Sequence, residues 1–191
     1  MRNIIIIGLI ALGLYFFYPQ DHSSSSIASG IQFDGHTITY NDESFVTQWS
    51  SSESIYGYVR SVNKAKSKIM PIITTVIAIT TGDYSDPEKT RFDYSRNGYL
   101  IYNLNPSKKI NGTVTVYNLI PSSESIQKEL DDIQIGNTVS LNAKFSTTGT
   151  LKGEQAEVRL SAFAPNQYVR NKMTKSEDPN TKQYIAFVES V

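Results

Sequence analysis

The chain has 191 residues, 18 basic and 18 acidic, no net charge and no cysteine. Zero net charge removes the long-range field that draws a protein to nucleic acid or anionic lipid. The lack of cysteine excludes disulfide staples and thiolate metal sites, and fits a domain built for an oxidising compartment without them. Twelve tyrosines and recurrent runs of Val, Ile and Thr suit pleated, half-buried surfaces, so a mainly β fold is expected.

Residues 4–18 carry no charge and almost no polar atom. As a helix they would span about 22 Å, short of the ~30 Å hydrocarbon core of a bilayer. Tyr15, Phe16, Phe17 and Tyr18 form an aromatic cuff of the kind that settles at the membrane interface and extends the usable length. The stretch is read as a transmembrane signal-anchor. A cleaved signal peptide is the alternative, but Pro19 stands where a small residue should, and Ser26-Ile27-Ala28 comes about ten residues too late. A buried core helix fits such a segment poorly. Arg2 precedes the stretch and no Lys or Arg follows until Arg60, which places residues 1–3 in the cytoplasm. The expected setting is the bacterial inner membrane, single-pass and N-in, with a periplasmic β domain over residues 31–191.

Residues 19–30, with serines from Ser23 to Ser26, read as a flexible linker that lacks the apolar side chains needed to offset ordering entropy. Residues 31–40 predict a hairpin turning at Asp34-Gly35 in type I′ geometry, with Ile31 opposite Ile38 and His36 exposed beside the turn. Asn41 or Asp42 could cap a short helix with Phe45 and Trp49 on its buried face, Trp49 as a core anchor. Residues 55–62 and 69–80 predict two strands. Ile72 to Ile79 is apolar on both faces, as a central or strongly curved strand requires, and Pro71 belongs at its start.

Residues 81–96 predict a polar loop in which Asp83, Asp86, Glu88 and Asp93 alternate with aromatics. It lacks the glycine and terminal glutamate of a calcium loop. Residues 98–104 and 113–119 predict two more strands separated by turn residues. Asn111-Gly112-Thr113 is a glycosylation sequon with meaning only in a eukaryotic secretory pathway. Residues 121–133 predict a helix capped by Ser122 or Ser123, with Glu124 at its positive end and Ile126, Leu130 and Ile133 on one face. Residues 138–145 alternate strictly, Val139, Leu141, Ala143 and Phe145 inward. Residues 156–162 do the same, and a turn at 147–153 would join the two as a hairpin. Residues 165–182 are polar and irregular, and 184–188 read as a last strand closing or edging the sheet.

The segment from Ile126 to Ala162 resembles the second half of an oligonucleotide/oligosaccharide-binding (OB) fold: a helix, a glycine-led strand through Gly136, Val139 and Leu141, then a strand ending in Val158-Arg159-Leu160. The resemblance implies a small OB-like barrel or sandwich with a core over about residues 55–163. Residues 55–62 and 69–80 would be its first two strands, and residues 100–119 its third with an extra hairpin. Similar small periplasmic domains are binding or accessory modules.

Two candidate sites follow. Tyr84, Phe92, Tyr94 and Tyr99 form a partner-binding set, since tyrosine brings contact area at low entropic cost. Arg60, Lys64, Lys66 and Lys68, with no acid between residues 54 and 82, form either a solvated loop or a small anion site. No catalytic residue, cofactor or metal is expected: of the two histidines His22 lies in the linker and His36 beside a turn, with no nucleophile elbow. Nucleic acid would need stacking aromatics within a basic groove, and the basic segment holds none. The expected role is a membrane-anchored periplasmic binding or scaffold module, an accessory subunit of a secretion, pilus, transport or phage-related envelope assembly. The alternatives are a processed soluble module for an anionic ligand and a hydrolase of envelope polymer, whose carboxylates would meet only in three dimensions.

Overall fold

A computed structural model describes residues 24–65, 70–95, 98–105, 107–154, 157–159, 169–171 and 181–191. The apolar stretch 4–18 lies outside them. Among the described residues no helix is long and apolar enough to cross a membrane.

The strands expected around the middle of the chain close on themselves. β4 (Trp49–Lys64), β5 (Thr75–Thr80), β8 (Val114–Pro121), β9 (Thr138–Ser146) and β13 (Thr181–Ser190) form a closed barrel in the order β13-β8-β5-β4-β9. Its neighbours are antiparallel except β8 and β13, which run parallel. The cause is visible in β9: Val139, Leu141 and Ala143 are buried while Thr138, Ser140 and Asn142 are exposed, the two-residue period of a wall wet on one side. The inward set, with Ile55, Val59, Ile77, Leu119, Ala186 and Val188, fills the interior. Gly57 is required here, because a Cβ would stand 2.6 Å from Ile79 Cγ2 and 2.7 Å from the Thr80 carbonyl.

Helix α2 (Glu124–Asp132) caps one end, burying Ile126, Leu130 and the following Ile133, the expected face. The Ser123 hydroxyl accepts from the Ile126 amide at 3.3 Å, and Glu124 sits in the first turn. Helix α1 (Ser24–Ser29) packs against α2.

Two further sheets cover part of the barrel. The first runs β1 (Gln32–Phe33), β2 (Thr37–Tyr40), β3 (Glu43–Val46), β10 (Thr150–Lys152), β11 (Glu157–Arg159). Its Ile38, Phe45 and Leu151 pack with outward-facing Ile120 of β8 and Ile185 and Phe187 of β13. The second runs β12 (Val169–Asn171), β7 (Gly98–Asn103), β6 (Thr90–Ser95). Ile101 and Phe92, with Tyr84 of the 3₁₀ turn Gly82–Ser85, cover Ala78 of β5 and Val114 and Val116 of β8. This covering explains why β5 is apolar on both faces: each such side chain fully buried contributes roughly 1.5–3 kcal/mol.

Four local expectations fail for identifiable reasons. Asn41 and Asp42 cap no helix; at φ +50° and +63° they form the two-residue turn joining β2 to β3, because Asn and Asp tolerate left-handed backbone as readily as they cap. The first hairpin pairs Phe33, not Ile31, with Ile38, since the Asp34 carboxylate accepts from both the His36 and Thr37 amides and stabilises a longer loop. Residues 81–96 hold the 3₁₀ turn and β6 rather than a plain loop. The fifth barrel strand is β13, not residues 156–162. β9 pairs with β4 and β13, leaving β10 and β11 as a separate hairpin in the first sheet. Trp49 packs as expected against the cluster around Phe45, 5.9 Å from Phe33 and 6.1 Å from Phe187, and its indole donates to the His36 carbonyl at 3.1 Å.

Candidate functional site

The outer walls of β5, β8 and much of β13 are covered, and so are the ends of β4 at Trp49 and Arg60, so the outward side of β4 and β9 between them is the barrel wall left to solvent. Cross-strand register sets Ser52 beside Lys144, Ser54 beside Asn142, Tyr56 beside Ser140 and Tyr58 beside Thr138. The Ser54 hydroxyl donates to Asn142 Oδ1 at 2.8 Å, and Asn142 Nδ2 donates to the Ser190 hydroxyl of β13 at 2.9 Å. At one end the Ser52 hydroxyl donates to Glu189, whose carboxylate pairs with Lys144 at 3.4 Å. At the other end, beyond the Tyr58 ring, Ile135 is 65% exposed in the turn before β9. Tyr56 is 70% exposed at the centre. The result is a flat, neutral, hydroxyl- and amide-bearing surface with a ring and an aliphatic chain standing clear of it. Such a surface can bind a partner by contact area and neutral hydrogen bonds; it offers no nucleophile paired with a base.

The predicted sites are placed elsewhere. Tyr84 is buried under the second sheet. Phe92 is half-buried beside it, with the Arg60 guanidinium 4.8 Å over its ring. Tyr94 and Tyr99 are register partners on β6 and β7, and the described residues give no side-chain placement for them. Arg60 is buried: it donates to the Tyr84 carbonyl at 2.9 Å and to the Thr90 carbonyl and hydroxyl at 2.6 and 3.3 Å. Desolvation pulls its pKa below the ordinary value, against the anionic influence of Tyr58 and Asp86. Arg60 faces out of the barrel in phase with Tyr56 and Tyr58, and the register shift between Val59 and Ser61 reverses the phase after it, so that Val62 packs inside. Lys64 donates to the Leu130 carbonyl at 2.8 Å and pairs with Asp131 at 3.0 Å, closing the C-terminal end of α2. Lys66 and Lys68 lie outside the described residues. Arg60 thus meets Tyr84 and Phe92 of the other predicted set, while Lys64 serves a different element.

In the acidic turn a lysine stands where a cation would. Lys89 bonds Asp83 at 2.6 Å and lies 3.8 Å from Asp86, and with the Asn111 amide it holds the Asp83 carboxyl below its usual range. Among the described residues no group of three or more His, Asp or Glu could hold a metal. Inside the barrel Tyr117, Phe145 and Tyr184 pack at centroid distances of 5.3 to 6.0 Å. Burial pushes the Tyr117 phenol up to about 12, a bond with Thr115 opposing and the Tyr184 and Glu53 charges adding to the shift.

Sequence reasoning missed Tyr56, Ser140 and Asn142 as a surface. The alternation of β9 marked its outward residues, but nothing local said that β4 lies beside it. Comparison of the chain with family models, curated proteins and solved structures finds no match.

Proposed function

We propose that the chain is a membrane-anchored periplasmic binding or scaffold module, an accessory subunit of an envelope assembly, built on an OB-like barrel. The topology supports the barrel assignment. With β4, β5, β8, β9 and β13 as strands one to five, the order closes as 1-2-3-5-4, strands three and five are parallel, and a helix lies between three and four. The observation that carries the binding role is the contrast between walls: the barrel uses its other outer faces for its own sheets and leaves the neutral β4–β9 wall, with Tyr56 70% exposed, to solvent. A barrel whose interior is filled by its own side chains binds on its outside. The anchor rests on residues 4–18 and the charge asymmetry around them.

The test is purification of the full-length protein from detergent-solubilised native membranes, with the intact mass of the protein measured. The full mass is expected, with a stoichiometric envelope partner that is lost from Tyr56→Arg and Ser140→Arg while the fold is kept. A mass lacking roughly the first 28 residues would overturn the anchor. A partner held equally by both variants would remove the wall from the role.

A further inference from the structure

Where the chain leaves the domain limits how the domain can stand on a bilayer. The last half of the expected linker is part of the folded body. Ala28 in α1 is 2% exposed, Ile27 packs with the cluster containing Ile31, Met70 and Ile72, and α1 rests on α2. The Gly30 and Ile31 amides donate to the Ile27 and Ala28 carbonyls at 3.1 and 3.3 Å, carrying α1 directly into the first sheet. Only residues 19–23 separate the apolar stretch from Ser24. Whatever their conformation, they span at most about 21 Å at ~3.5 Å per residue.

The α2 end of the barrel is where β8 finishes, β9 begins and β4 ends. The opposite end is where β8 and β13 begin and β9 ends. A nine-residue strand such as β9, tilted about 40° and capped by a helix ~10 Å thick, sets the two ends roughly 33 Å apart. A tether of about 21 Å starting at α1 is too short to let the opposite end turn down onto the bilayer.

We propose that the α1–α2 end of the barrel faces the membrane and that the opposite end, toward which Glu53, Tyr117, Phe145 and Tyr184 lie, is presented to the periplasm; this rests on the anchored reading above. The exposed charges of α2 are Glu124, Glu129, Asp131 and Asp132 against Lys128, with Lys64 of β4 paired to Asp131 at the same end. The β4–β9 wall runs along the barrel axis and so opens sideways, toward neighbours in the same membrane.

The chain has no cysteine, so single-cysteine variants report cleanly. The full-length protein would be reconstituted into phosphatidylcholine vesicles containing a headgroup-spin-labelled lipid, with a fluorophore at Lys128→Cys on α2 or Lys109→Cys in the loop before β8. Lys128→Cys is expected to be quenched several-fold more strongly. Inserting ten Gly/Ser residues between Asp21 and His22 is expected to erase the difference, as is undocking α1 with Ala28→Arg. Equal or stronger quenching at Lys109→Cys in vesicle-bound protein overturns the orientation, and a difference that survives the insertion overturns the tether as its cause. Protein that does not float with the vesicles overturns the anchored reading itself, and the orientation with it.

Discussion

The outward residues of β5 and β8 include Ala78, Val114 and Val116, all buried; those of β4 and β9 include Ser54, Tyr56, Ser140 and Asn142, all exposed. Both walls belong to one barrel and share one interior, yet one is a second hydrophobic core and the other a wet surface. The difference lies in what the chain spends its insertions on. Strands β1, β2, β3 and β10 cover β8 and β13, and the 3₁₀ turn with β6 and β7 covers β5 and β8; the two sheets reach only the ends of β4, at Trp49 and Arg60, and leave the stretch around Ser54, Tyr56, Ser140 and Asn142 open. A strand apolar on both faces signals a covered wall, and a strictly alternating one signals a free wall.

The contrast can be broken most severely by moving a charge onto the covered side. Val116 is 2% exposed and lies opposite Ala78. Val116→Asp is expected to cost about 4 kcal/mol or more, or to prevent folding, read from denaturant midpoints and soluble yield. Retention of wild-type stability would mean that the second sheet does not pack on β8.

Arg60 tests how that sheet is held. Arg60→Met removes the donors serving the Tyr84 and Thr90 carbonyls and is expected to cost about 3 kcal/mol, with early proteolysis between residues 82 and 95. Arg60→Lys would not rescue it, because one ammonium cannot reproduce the guanidinium fork. An unchanged midpoint would show that the apolar contacts alone hold the sheet.

Inside the barrel the test is pH. Tyr117 sits near 12 when folded against an ordinary 10.0, so the protonated phenol is favoured by the fold. Its contribution, about 2 kcal/mol after allowing for partial exposure, is fully present below pH 10 and lost as pH rises from 10 toward 12, where the unfolded chain ionises first. Tyr117→Phe should flatten that decline, and a late phenolate absorbance step should vanish with it. Ser123→Ala should cost about 1 kcal/mol by removing the cap of α2. Ser140→Asp, on the free wall, should stay within ~0.5 kcal/mol of the parent. A large loss there would mean that the wall is covered after all.

The barrel was legible where local pattern and fold agree. The alternation of β9 and the capped helix at Ser123 read correctly because burial at each is decided by its own sequence period; the strand expected over residues 69–80 begins only at Thr75, since Ile72 and Ile73 are buried against the first sheet ahead of β5 rather than paired in the barrel. Residues 184–188 also read correctly as a last strand closing the sheet, but the fifth place in the barrel was given to residues 156–162, because Val158 and Leu160 alternate as convincingly as Ile185 and Phe187. What distinguishes them is a parallel pairing with β8 that no local pattern encodes. Asn41 and Asp42 were misread because one side-chain chemistry serves both helix caps and left-handed turns. The lysine-rich segment read as one patch of charge, but Arg60 faces β6 while Lys64, past the phase reversal, goes to α2. The wall around Tyr56 was illegible because β4 and β9 are neighbours only after the barrel closes.

That closure has a consequence for biogenesis. β13 fits between β8 and β9 and is the last barrel strand to be synthesised, so both neighbours keep a row of unpaired amides and carbonyls until residues 181–190 have emerged. A chain synthesised from its N-terminus holds two open sheet edges until that last strand arrives. Folding of the barrel would then be gated by delivery of the final segment, and a chaperone that shields strand edges would lose those of β8 and β9 on closure, leaving only the edges of the two accessory sheets.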